Sequence, residues 1–98
     1  RSTASTLNNM AEIFQIQGDT LKAFEYFKES LGISQKFKND QVSAITLINL
    51  SEMSFAQKKY QNALNYAQEA QNIAIKNKFR AEEVEAGYLI SESYIALK

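Results

Sequence analysis

Cysteine and histidine are both absent from this chain, and each absence removes chemistry. Without cysteine there is no disulfide, no thiol nucleophile and no thiolate metal site. Without histidine the commonest general base and the commonest metal ligand are gone. Proline is also missing and glycine occurs three times, so little in the chain interrupts a helix. Neither charge is in excess: Lys and Arg number 11, as do Asp and Glu, so no electrostatic footprint for nucleic acid or an acidic membrane surface exists. No apolar run approaches the roughly eighteen residues of a membrane-spanning helix. Gly-rich phosphate loops and nucleophile motifs are lacking too, and the Ser and Thr residues have no visible base partner. The expectation is a protein that is not an enzyme and holds no cofactor or metal.

What remains is a chain of 98 residues, 45% of them hydrophobic, enough for one folded domain. It opens at Arg1 rather than Met and shows no signal-peptide pattern, so it reads as a piece of a longer protein, with any targeting segment outside these residues; a cytoplasmic location is the expectation. Its strongest internal feature is a repeat of forty residues. Laying 41–80 over 1–40 gives identity at Ala4/Ala44, Thr6/Thr46, Leu7/Leu47, Asn9/Asn49, Glu12/Glu52, Gln17/Gln57, Ala23/Ala63, Tyr26/Tyr66, Glu29/Glu69, Ile33/Ile73, Lys36/Lys76 and Lys38/Lys78. The shift continues with Ser51/Ser91, Glu52/Glu92, Ala56/Ala96 and Lys58/Lys98. A fixed period of this size marks stacked repeats and directs function toward binding.

Apolar and small residues recur at three- and four-residue steps, the helical period. Leu7, Met10, Ala11 and Phe14 form one stripe; Ala23, Phe24, Phe27 and Leu31 form the next. Leu47, Leu50, Ser51 and Phe55 follow, then Ala63, Leu64, Ala67, Ala70 and Ala74, and last Gly87, Ile90, Ser91 and Tyr94. Breaks at Gly18-Asp19, Asn39-Asp40, Lys58-Lys59 and Lys78-Phe79-Arg80 divide the chain into helices near 4–17, 20–37, 41–57, 60–77 and 81–97. Asp19 is placed to cap the second helix and Asp40 the third; Lys58-Lys59 is a weaker signal. Two helices with a short break make an antiparallel hairpin, which buries its stripe only by stacking on neighbours.

The order Leu7, Met10, Ala11, Phe14, Gly18-Asp19, Ala23, Phe27, echoed by Leu47, Leu50, Ser51, Phe55, Tyr60, Ala63, Ala67, Ala70, resembles the tetratricopeptide repeat. Departures are Ser54 at the place of Phe14 with Phe55 beside it, Ala67 in place of Phe27, and no closing proline. The resemblance implies an all-α, right-handed helical-hairpin solenoid of five helices and about two and a half repeats: repeat one at 1–40, repeat two at 41–80, and the first helix of a third at 81–98. The spacing looks like the lengthened variety of bacterial signalling and transcription regulators, and of some adaptors. It further implies that the first helix of each pair lines a concave groove for a protein or peptide segment, and places there Asn9, Glu12, Ile45, Ile48, Asn49, Glu52, Phe55, Tyr88 and Glu92, with Asn8, Glu85 and Leu89 among their neighbours. Asn9 and Asn49 would hold a peptide backbone, since an amide both donates and accepts. Glu12, Glu52 and Glu92 would form a column selecting positive charge. Asn8 and Glu12 stand where the chaperone-tail readers of the family carry the first Lys and Asn of a carboxylate clamp, so no such clamp is expected. Tyr26 and Tyr66 are expected to pack between repeats or on the convex side, and Phe37 and Phe79 to tuck the turns onto the stack. The rival expectation is self-association or a spacer role. Gly87, Ile90, Tyr94 and Leu97 would lack a covering helix, and a homodimer through the last helix would supply one.

Overall fold

The computed structural model describes residues 3–98 and is helical throughout: α1 Ala4–Ile16, α2 Thr20–Lys36, α3 Asp40–Ala56, α4 Tyr60–Asn77 and α5 Arg80–Leu97. The elements match the sequence expectation to within a residue or so at each end. Four turns join them, and all four are built alike. One or two residues past each helix end the backbone turns left-handed: Gly18 at φ 84°, Lys38 at 56°, Lys58 at 64° and Lys78 at 61°. In each turn the next amide reaches back to a carbonyl five residues earlier, as in Asp19 N–H to Phe14 O at 2.9 Å and Lys59 N–H to Ser54 O at 2.8 Å. This is the Schellman closure, and it satisfies carbonyls that a helix end leaves orphaned. The backbone therefore repeats every twenty residues, although the side-chain pattern repeats every forty.

Three of these left-handed positions carry lysine where glycine would be unstrained, at a cost of roughly 1–2 kcal/mol each. Each lysine follows the C-terminus of its helix, where a cation meets the negative end of the helix dipole. The residue after it opens the next helix. Asp19 accepts from Lys22 N–H at 3.2 Å. Asn39, not Asp40, caps α3, accepting from Val42 N–H at 3.3 Å. Asp40 is instead the first helical residue and accepts from Asn77 Nδ2 at 3.0 Å, which ties the start of α3 to the end of α4. Lys59 and Phe79 offer no side-chain cap.

Small residues set the spacing within the hairpins. Ala11 and Ala23 are fully buried in the first, Ser51 and Ala63 in the second, where Ser51 Oγ donates to Ala63 O at 2.8 Å. Phe27, Leu47 and Leu50 are also fully buried and fill the space between hairpins. Helix α3 lies at the centre and buries residues around most of its circumference. The buried alanines of α4, Ala63, Ala67, Ala70 and Ala74, let α3 and α5 approach it from both sides.

Consecutive helices pack on one another, and α1 touches α3 as α3 touches α5, whereas α2 and α4 make no such backbone approach. First helices that lie closer than second helices curve the stack, with α1, α3 and α5 inside. The resulting slab measures 43 × 32 × 18 Å. Tyr26 and Tyr66 pack partly buried against the core, Tyr26 with its ring centroid 5.2 Å from that of Phe14. Phe37, the residue that closes α2, does not tuck its turn onto the stack and is 71% exposed, whereas Phe79 is half-buried. Ser93 is fully buried with an unpartnered hydroxyl, at the repeat position that Met53 fills in the preceding hairpin.

Candidate functional site

The inner face is built from α1, α3 and α5, and its floor is a chain of polar contacts between repeats. Asn8 is buried, and its Oδ1 accepts from Thr46 Oγ1 at 2.9 Å. Thr46 Oγ1 lies 3.5 Å from Ser30 Oγ, which donates to Ala4 O at 2.8 Å. At the other end Asn8 Nδ2 donates to Glu12 Oε2 at 3.4 Å, and Asn49 Nδ2 donates to the same oxygen, also at 3.4 Å. Asn8, expected on the groove surface, is thus a buried joint between α1 and α3, because Thr46 supplies the donor that makes its burial tolerable. Replacing Thr46 with valine keeps the shape and strands Asn8 Oδ1, at an expected cost of about 1–3 kcal/mol in urea unfolding.

The candidate residues divide by position. Asn9 is exposed and lines an open depression of about 240 Å³ with Ser5, Asn8, Glu12, Val42 and Ile45. Ile45 is half-buried there, whereas Ile48 is only 3% exposed and belongs to the core rather than to a contact surface. Asn49 is half-buried; its donor is engaged by Glu12, and its carbonyl oxygen faces no partner among the described residues. Phe55 packs on Tyr60 with ring centroids 5.1 Å apart, at the far end of α3. Tyr88 is exposed, Glu52 is exposed and Glu92 is half-buried.

Glu12 and Glu52 occupy the same repeat position in different surroundings. The α3 partner of Glu12 is Asn49, a donor; the matching residue on α5 is Leu89, which is apolar and buried. Glu52 has instead the carboxylate of Glu85 nearby. Although the residue keeps solvent contact, crowding by protein raises its pKa above the ordinary 4.5, and repulsion from Glu85 adds to the rise. The native state then holds this proton to higher pH than the unfolded chain does. Stability contributed here is intact below about pH 4.5 and declines as pH rises through the raised value. Glu52→Gln is expected to match the wild type in urea unfolding near pH 4 and to exceed it at pH 7.

Charge is segregated between the two sets of helices. The inner helices α1, α3 and α5 carry Glu12, Asp40, Glu52, Glu82, Glu83, Glu85 and Glu92, against Arg80 alone. The outer helices α2 and α4 carry Lys22, Lys28, Lys36 and Lys76 against Glu25, Glu29 and Glu69. The zero net charge of the whole chain conceals this division. Among the described residues no cluster of side chains suited to a metal ion occurs, and no helix is long and apolar enough to cross a membrane.

Helical hairpins stacked in register, with the first helices lining a curved inner face, define a helical-repeat protein. The family model described as tetratricopeptide repeat matches residues 2–76. The chain belongs to the tetratricopeptide repeat family, a non-enzymatic scaffold fold that generally mediates contacts between proteins. Among curated proteins none matches this chain.

Proposed function

We propose that the α1–α3–α5 face binds an extended, basic peptide segment of a partner protein. The observation that carries the reading is the segregation of charge: seven acidic side chains against one basic on the three inner helices. An excess of one charge along these helices attracts the opposite sign and raises the rate of encounter. In this reading Asn9 and the free carbonyl oxygen of Asn49 hold the peptide backbone. Glu12, Glu52 and Glu92, joined by Glu85, select lysine or arginine, and Ile45 and Tyr88 supply apolar contact. The module serves in a cytoplasmic regulatory or adaptor protein as the part that recognises a partner.

The test is fluorescence anisotropy with a labelled, extended lysine-rich peptide and a glutamate-rich control. Saturable binding of the basic peptide alone, weakened by raising salt from 50 to 500 mM (about 14 Å to 4 Å of screening length), supports the reading. Equal binding of both peptides would remove it.

A second reading is favoured by α5. Ser91 is exposed where its repeat mate Ser51 is fully buried, and Tyr94 and Leu97 are 52% and 43% exposed. Here the outer face of α5 pairs with a second copy of the chain, and sedimentation at rising concentration would show a dimer that Tyr94→Lys abolishes.

A further inference from the structure

A depression wider than the one beside Asn9 lies away from the acidic face. It measures about 430 Å³ and is walled by Leu21 and Phe24 of α2, by Ser54 and Gln57 at the end of α3, and by Lys59 and Asn62 at the start of α4. None of these residues belongs to the candidate groove. Its origin can be read from the repeat. In the first hairpin Phe14 fills the corresponding place and stacks on Tyr26. In the second, that position is Ser54, and the phenyl ring has moved one residue along to Phe55. One residue turns a helix by about 100°, so the ring of Phe55 packs on Tyr60 and leaves the place of Phe14 vacant.

The vacancy is lined in a particular way. Leu21 is 72% exposed on one wall, and Phe24 is half-buried beside it. Ser54 is only 4% exposed and brings a short, polar side chain to the lining where the first hairpin has a phenyl ring. The one charged residue in the lining is Lys59, with Lys58 adjacent in sequence; the nearby carboxylate of Asp19 is engaged as the cap of α2.

We infer that this cleft is a second docking site, and that it takes an aromatic side chain from an acidic segment of a partner protein. The first hairpin shows that a phenyl ring suits the place, and the lysine favours a carboxylate next to that ring. The site is independent of the acidic face and prefers ligand of the opposite charge. A partner engaging both would run from a basic stretch to an acidic one.

The test is a ¹⁵N NMR titration of the chain with a blocked pentapeptide, Gly-Asp-Phe-Asp-Gly. Two relatives serve as controls, one with alanine for phenylalanine and one with lysine for both aspartates. Saturable shifts are expected at the amides of Leu21, Phe24, Ser54 and Asn62, with affinity about tenfold weaker for either control. Ser54→Phe restores the pattern of the first hairpin, fills the cleft from within and is expected to abolish these shifts while the helical circular dichroism is retained. Leu21→Asp, at an exposed position, gives the same answer without touching the core. Shifts that are absent from the cleft, or that persist in Leu21→Asp, overturn the site. Equal binding of the alanine peptide overturns the aromatic assignment, and equal binding of the lysine peptide overturns the acidic one.

Discussion

Phe27→Ala is expected to lose about 3–5 kcal/mol of stability, the usual range for emptying a buried aromatic site. Phe27 is fully buried and packs in the one cluster that joins α2 to α1, α3 and α4. Domains of this size hold only about 5–15 kcal/mol in all, so much of the margin would go. In a stacked array each hairpin is stabilised by its neighbour, and the damage spreads across the interface between them. Thermal unfolding followed by circular dichroism should show a midpoint lower by roughly 15–30 °C. Ile16→Ala, at a residue 86% exposed, should move it by no more than a degree or two for each few tenths of a kcal/mol. A Phe27→Ala midpoint within a few degrees of wild type would mean that the hairpins do not depend on this ring.

The second large effect concerns binding. Glu52→Lys with Glu85→Lys reverses two charges at the centre of the acidic face, where α3 meets α5. Neither side chain forms a hydrogen bond among the described residues, and both are exposed, so the fold should tolerate the change. Affinity for a lysine-rich peptide is expected to fall by about tenfold or more at low ionic strength, and the difference should shrink as salt screens the face. Helical content and sedimentation should stay as in the wild type. A double variant that binds the basic peptide as tightly as wild type would show that these carboxylates take no part.

Much of the fold was legible because helices announce themselves by period and because two hairpins share so many identities. The left-handed geometry that all four turns share was not, for a physical reason. Lysine at 38, 58 and 78 carries no signal of left-handed backbone, and only Gly18 does. Asp40 looked like the cap of α3, but the turn closes one residue earlier and places Asn39 there. At the site, Asn8 looked like a surface amide. Its burial depends on Thr46 and Ser30, which lie on other helices, and a pattern read along one helix does not reveal a partner across the interface. Ile48 was drawn into the core for a related reason, since α3 is surrounded on most sides and leaves little of itself for a ligand. The identity of Glu12 and Glu52 likewise gave no sign that Asn49 satisfies one and Glu85 repels the other. Ser54 was visible as a departure from Phe14, but its consequence, an open cleft, required the position of Phe55 as well.

The most direct measurement of the proposed binding face is an amide-resolved NMR titration with the lysine-rich peptide. Shifts are expected to follow the inner helices through Asn9, Asn49, Glu52, Glu85 and Tyr88, and to saturate at one peptide per chain. Shifts confined to α2 and α4, or to the outer side of α5 with growing line width as the chain is concentrated, would contradict binding by the acidic inner face.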